Sequence, residues 1–263
     1  MRYLPALSLV LAIAACIAAC GPDAADGPAG FPRPAPLTRA DSLVYAAIAA
    51  AGQWRLDTAT VSFRFRDRVY GLDRRDGRYV YTRTWTDTAT GAEVVDVLTN
   101  DDFLRTEDGR AARLKPADAE RYGAAVNSVV YFAFLPRWLA DPGAVRRYEA
   151  LDTLGGRAYH RLRVRFRENG GGADFRDEFL YWLDAEDLSL DYLAYDYATD
   201  GGGVRFRESY NERVAGGITV RDYRNYAPGE GVRIPLARVG EAWAAGELEL
   251  LSTVALEEVR VGR

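Results

Sequence analysis

HRLRVRFRE, residues 160–168, alternates without a break: Leu162, Val164 and Phe166 oppose Arg161, Arg163, Arg165 and Arg167. A period of two is the signature of a strand with one buried and one wet face, and an antiparallel sheet is where such strands live. TVSFRFRDR at 60–68 repeats the pattern, with Val61, Phe63 and Phe65 against Ser62, Arg64, Arg66 and Arg68. Rows of arginine would also suit a polyanion surface. As the solvated face of a sheet they need neighbouring carboxylates instead, and the chain carries 38 acidic against 34 basic side chains.

Further strands read outward from these at about 77–86, 92–99, 102–107, 145–152, 177–184, 190–198, 204–213, 217–226, 232–239 and 247–261. Turn-like pairs separate them: Leu72-Asp73, Thr90-Gly91, Asp108-Gly109, Gly155-Gly156, Gly216-Gly217 and Pro228-Gly229. Two stretches break the pattern. Residues 38–52 read as a helix with Thr38 as N-cap, Asp41 three positions on, a stripe of Leu43, Ala47 and Ala50, and Gly52 as C-cap. Residues 116–139 read as a second, opened by Pro116 with Asp118 and Glu120 in its first turns. Its latter part, VVYFAFLPRWL, is apolar on nearly all sides and must be covered, with Pro136 kinking or ending it.

GGGADFRDEF (170–179) and GGGVRFRESY (201–210) are near copies of one another. A phosphate cradle needs glycines that open a helix, usually followed by Lys-Ser or Lys-Thr. Strands follow here and the lysine is absent, so hairpin turns are the reading. Because successive antiparallel strands alternate direction, both glycine loops fall on one rim of the sheet and the acidic loop around Asp184 on the other. Three glycines in succession carry an entropy cost, which leaves a flexible rim beside an entrance as a second reading.

The N-terminus is a targeting segment. Residues 1–19 have a basic start and an apolar run, Leu4 to Ala19, shorter than the ~20 residues that span a bilayer. Ile17-Ala18-Ala19-Cys20 matches the lipobox whose Cys is acylated; Ile13-Ala14-Ala15-Cys16 also matches but leaves an apolar stub. Cys20 is thus the expected lipidation site. Residues 20–37 form a disordered Pro/Gly/Ala tether after it, and 38–263 form a single domain. Gly21 rather than Asp after the Cys points to the outer membrane, on its periplasmic or surface face. The formal net charge of −4 gives no footprint for nucleic acid.

SVVYFAFLPRWLADPG, DEFLYWLD, DYLAYDY, GGGVRFRESYN and VRDYRNY together resemble a family of bacterial envelope lipoproteins of unknown function over most of the chain after the tether. GGGVRFRESYN is the most specific of them. That family is similar in outline to the lipoprotein-localisation carriers of the LolA and LolB type. The resemblance implies a mainly antiparallel β fold, a strongly curled, incompletely closed β-barrel covered by a few helices. Ala51-Gly52-Gln53-Trp54 departs from the His-Gly-Gly type of helix end expected there, so any function of that His is missing.

Chemistry is sparse. His160 is the single histidine and reads as a sheet residue, and the mature chain has no free thiol for a triad or a His/Cys zinc site. DAEDLSLD, with Asp184, Glu186, Asp187 and Asp191, lacks the EF-hand glycine and spacing and reads as a solvated turn. Asp177, Glu208 and Asp222 alternate with apolar residues and are candidates for structural ion pairs or for an acid–base pair. No metal or other cofactor is expected. Candidate ligand-binding aromatics are Phe63, Phe65, Tyr81, Trp85, Phe166, Phe179, Tyr181, Phe206 and Tyr210 on strands, with Tyr131, Phe132, Phe134 and Trp138 on the helix above. The leading expectation is a lipid-anchored envelope protein that binds a lipid or acyl chain without catalysis. An envelope interaction module with a filled core is the alternative, and a carboxylate-dependent hydrolase the second.

Overall fold

The computed structural model describes residues 37–75, 77–167, 177–198 and 201–262; the signal segment, Cys20, all but the last residue of the tether and the first glycine loop lie outside them. Among the described residues the chain begins with α1 (Arg39–Ala50) and then β1 (Thr60–Phe65), β2 (Arg68–Arg75), β3 (Arg78–Thr86), β4 (Glu93–Thr99), β5 (Phe103–Glu107) and β6 (Arg110–Ala111). After α2 (Pro116–Ala133) come β7 (Ala144–Leu154), β8 (Arg157–Phe166), β9 (Glu178–Asp184), β10 (Leu190–Tyr197), β11 (Gly203–Ala215) and β12 (Ile218–Pro228). The short α3 (Val239–Ala244), β13 (Leu248–Val254) and β14 (Glu257–Gly262) complete it.

The strands form two seven-stranded antiparallel sheets that do not close into a barrel: β14-β1-β2-β3-β4-β5-β6 and β13-β12-β11-β10-β9-β8-β7. The sheets join where β13 hands over to β14 through Ala255 and Leu256. Asp222, almost fully buried, accepts from the Leu256 N–H at 2.9 Å and from Arg213 Nη1 at 3.1 Å, while Arg213 also donates to the Leu256 carbonyl. A buried carboxylate thereby satisfies a backbone donor that neither ladder reaches.

Local chemistry explains most boundaries. Thr38 and Asp41 form the expected capping box on α1. Helix α2 ends at Ala133, before the expected limit, and a 3-10 turn over Arg137–Ala140 follows Pro136, which has no N–H to continue a helical ladder. No strand occupies 232–239: after Pro235 the chain makes a 3-10 turn (Leu236–Arg238) and α3, because Leu236, Val239 and Ala242 recur at helical spacing and are buried, with Leu236 and Val239 packing on the second sheet. The stretch 247–261 is two strands, and Leu72-Asp73 lies inside β2 rather than in a turn. The stretch 60–68 is not one strand: β1 ends at Phe65, Arg66 turns the chain with φ of +57°, and Arg68 opens β2, while the other strands fall within about three residues of the expected limits.

Around β9 the second sheet is covered on both faces. Phe179, Tyr181 and Leu183 pack with α1 and Leu139, whereas Leu180 and Trp182 pack on the side of α3. EFLYWLD is therefore buried at nearly every position, as a strand covered twice must be. The arginine row of β8 is paired as a solvated face should be: Arg161 with Glu149 and Asp152, Arg163 with Glu149 and Glu178, Arg165 with Glu178.

Burial opposes ionisation of Glu149, yet Arg163, Arg161 and Arg147 outweigh it and hold the carboxyl below its ordinary value of 4.5. A depressed carboxylate contributes stability above its unfolded value and loses that contribution as pH falls through the folded one. Lowering the pH from about 5 to about 3 is therefore expected to lower the urea midpoint, and Glu149→Gln to flatten that dependence. An equally steep dependence in the variant would show that Glu149 is not a source of it.

Candidate functional site

Helix α2 lies across β3, β4 and β5 because Gly123 permits it: a Cβ there would meet Leu98 at 3.3 Å and Phe103 at 3.5 Å. Val126, Val130 and Ala133 sink into a core with Phe63, Tyr70, Leu72 and Trp138. From its other side, Tyr131 and Phe132 reach the second sheet. The Tyr131 hydroxyl lies 2.6 Å from that of Tyr181, its ring stands edge-on to Phe166 at 5.9 Å, and Phe132 packs on Tyr195 at 5.4 Å.

Beside this contact the sheets part and leave a partly open cavity of about 1330 Å³. Tyr79, Tyr81, Leu98 and Phe103 line it from the first sheet, and Phe166, Phe179, Tyr195 and Tyr197 from the second. Helix α2 contributes Ala124, Asn127 and Ser128, side chains too short to fill the gap, and Trp138, Asp141 and Ala144 close one end. Arg74, Arg205 and Arg207 are the cations on the wall. Arg74 is balanced by Asp141 at 3.2 Å and Asp57 at 3.6 Å. Burial pushes the Tyr81 hydroxyl up to about 12 and raises Tyr79 as well, so both phenols stay neutral near pH 7. The wall is thus mixed: aromatic rings share it with charged and polar side chains, among them Arg74, Asn100, Glu120, Asn127, Asp141 and Asp177.

Of the aromatic candidates, Tyr81, Tyr131, Phe132, Trp138, Phe166 and Phe179 come together on this wall. Phe65 lines a neighbouring recess of about 60 Å³ with Phe132 and Arg207. Phe63, Phe134 and Tyr181 are core residues; Phe63 lies edge-on to Phe134 at 5.6 Å. Trp85 lies off the cavity among Arg68, Arg83 and Arg105. Phe206 and Tyr210 are not inward. Phe206 packs against Trp182 and Trp243 beneath α3, and Tyr210 lies under the Arg224 guanidinium at 4.5 Å. A shift of one position exchanges the faces of a strand, and on β11 it is Arg205 and Arg207 that face the cavity.

The carboxylates are dispersed. Asp177 lines the cavity, Glu208 holds Arg224 at 3.2 Å and Tyr226 at 3.0 Å, and Asp222 serves the strand handover. The acidic loop is a self-satisfied turn: Asp184 accepts from the backbone of Glu186 and Asp187, pairs with Arg157 at 2.7 Å, and Asp191 holds Ser189 and Tyr159. Among the described residues no cluster of His, Cys, Asp and Glu is arranged to hold a metal. His160 sits in β8 beside Tyr148, and burial, aided by Arg39, lowers its pKa. In the second glycine loop, Gly201 and Gly202 take φ of +89° and +75°, and this rim adjoins the cavity through Tyr197 and Arg205.

No curated protein matches the sequence. Among solved structures the chain is similar to a LolA-superfamily protein from Nitrosomonas europaea, with 8% identity and a TM-score of 0.47 over 85% of this chain and 94% of that one. It is also similar to a DUF1329-family protein from Desulfovibrio piger, with 11% identity and a TM-score of 0.35 over 82% and 92%. The lipoprotein LppX of Mycobacterium tuberculosis aligns with 11% identity and a TM-score of 0.24 over 60% and 89%. A family model matches residues 52–242, which run from the end of α1 to α3 and include all the cavity-lining residues named above: the chain belongs to DUF6503, a family of unknown function.

Proposed function

We propose that the protein binds a hydrophobic ligand, a lipid or an acyl chain, in the cavity between α2 and the two sheets, non-covalently and without catalysis. On this reading the two sheets act as one curled, incompletely closed barrel, with helices covering its hollow. The protein is held at an envelope membrane by lipid on Cys20, which places the cavity where such ligands occur. The observation that carries the proposal is the cavity itself. At about 1330 Å³ it exceeds the roughly 300–1,000 Å³ of ordinary small-molecule sites, and aromatic rings from both sheets and α2 line it together with polar and charged groups, as an amphiphile requires. A filled interaction module would leave no such space.

Ser128 faces the cavity from α2, so Ser128→Trp puts an indole into empty volume and removes little from the core. Native mass spectrometry of the full chain, released from detergent micelles, is expected to show a lipid-sized adduct or uptake of offered palmitate or phospholipid. In Ser128→Trp, with its circular dichroism unchanged, uptake should fall about tenfold or more. A bare wild-type mass that takes up neither probe would refute the proposal.

A further inference from the structure

Two arginines on the cavity wall form no ion pair among the described residues, and they lie side by side on one strand. Arg205 and Arg207 alternate with Val204 and Phe206 on β11, so both guanidiniums leave the sheet on the cavity face while the apolar pair goes under α3. Arg207 lies 3.7 Å over the Phe132 ring, and its Nη2 donates to the Tyr195 hydroxyl at 3.2 Å. Its Nε is buried and has no acceptor. Arg205 lies over Tyr197 at 4.9 Å and, among the described residues, donates to the Val204 carbonyl at 2.9 Å. Neither forms an ion pair with a carboxylate among the described residues, whereas Arg161, Arg163 and Arg165 on β8 and Arg74 on the same cavity all do.

The acids on the wall are otherwise engaged or set apart. Asp141 is committed to Arg74 and Arg137, Glu120 and Asp102 are exposed, and Asp177 lies on β9's side of the cavity, with β10 between it and β11. A buried guanidinium N–H without an acceptor is costly, and paired arginines are the side chains best shaped to take a carboxylate or phosphate in bidentate fashion. Aromatic faces beneath both guanidiniums hold them in place and keep water away from one side.

We infer that the ligand is an anionic amphiphile whose carboxylate or phosphate head is seated on Arg205 and Arg207, with its chain along Phe132, Phe179, Phe166 and Tyr81. This rests on the cavity being a lipid site and adds the chemical class of the head.

The test separates the two claims. The full chain is titrated with palmitate, hexadecyl phosphate and hexadecanol, which share a sixteen-carbon chain (about that length of apolar burial in each) and differ in the head. Either anion should bind at least about tenfold more tightly than the alcohol, and whichever binds better identifies the head. Arg205→Gln/Arg207→Gln should remove that preference while hexadecanol binding persists. Equal affinity of wild type for all three probes would overturn the anion seat and leave the apolar cavity standing. Binding of none would overturn both.

Discussion

Asp96→Ala is expected to destabilise the protein by about 3–5 kcal/mol, the loss typical of a buried charge cluster stripped of its counter-ion. Asp96 sits on β4 with no solvent exposure and receives Arg83 Nε at 2.9 Å and Arg105 Nε at 2.7 Å from the flanking strands. Both guanidiniums are nearly buried as well. One carboxylate thus balances two cations, and aromatic faces supply the rest: Trp85 lies 5.3 Å from Arg83 and 5.1 Å from Arg105, and Tyr122 of α2 covers Arg105 at 3.8 Å. Removing Asp96 leaves two desolvated cations in contact range, and α2 loses the footing of its N-terminal half. The cavity wall should loosen with it, so ligand uptake should weaken in the same variant.

Two controls make this specific. Arg105→Met leaves a one-to-one pair and should cost less than Asp96→Ala. A triple change of Arg83 and Arg105 to Met with Asp96 to Leu should recover much of the loss, because well-packed apolar side chains often replace a buried ionic cluster at no net cost. Urea unfolding reads all three. A loss under about 1 kcal/mol for Asp96→Ala would mean that water reaches the triad and screens it.

Strands whose two faces differ in polarity were legible in the sequence. The rows Val61-Phe63-Phe65 and Leu162-Val164-Phe166 face the protein interior, and the arginines opposite Leu162 and Val164 find carboxylates. Legibility fails on β9 and β11, where each face meets its own layer of apolar side chains. Alternation there says only that the faces differ, not which looks into the cavity, so Phe206 and Tyr210 fell on the wrong side and Arg205 and Arg207 were passed over. Residues 232–239 were read as a strand because Val232, Ile234 and Leu236 alternate, and the short α3 that follows was not read at all. The cavity is set by the separation of two sheets, a long-range quantity with no local signal. In retrospect the short side chains Ala124, Asn127 and Ser128 in the middle of α2 mark where it lies.

Gly52→Ala is expected to cost more than about 3 kcal/mol, from two sources that a paired control can separate. Gly52 ends α1 with φ of +64°, the left-handed conformation that side chains pay roughly 1–2 kcal/mol to adopt. A Cβ there would also lie 2.1 Å from the carbonyl oxygen of Gly217, a backbone atom that cannot rotate away. That carbonyl belongs to the turn between β11 and β12, and the two segments are fastened around it. The Thr219 N–H donates to the Ala51 carbonyl at 2.8 Å. Fully buried Gln53 donates through Nε2 to the carbonyls of Thr219 and Leu135 and accepts at Oε1 from the Arg137 N–H. Opening the contact at Gly52 would therefore strain the bonds that hold α1, the end of α2 and the second sheet together. Gly91 has φ of +75° and open space around its missing Cβ, so Gly91→Ala should carry only the conformational cost. The difference between the two unfolding free energies measures the close approach. If the two variants lose the same stability, the α1 end and the β11–β12 turn do not meet as closely as 2.1 Å implies, and the junction above the cavity is looser than described.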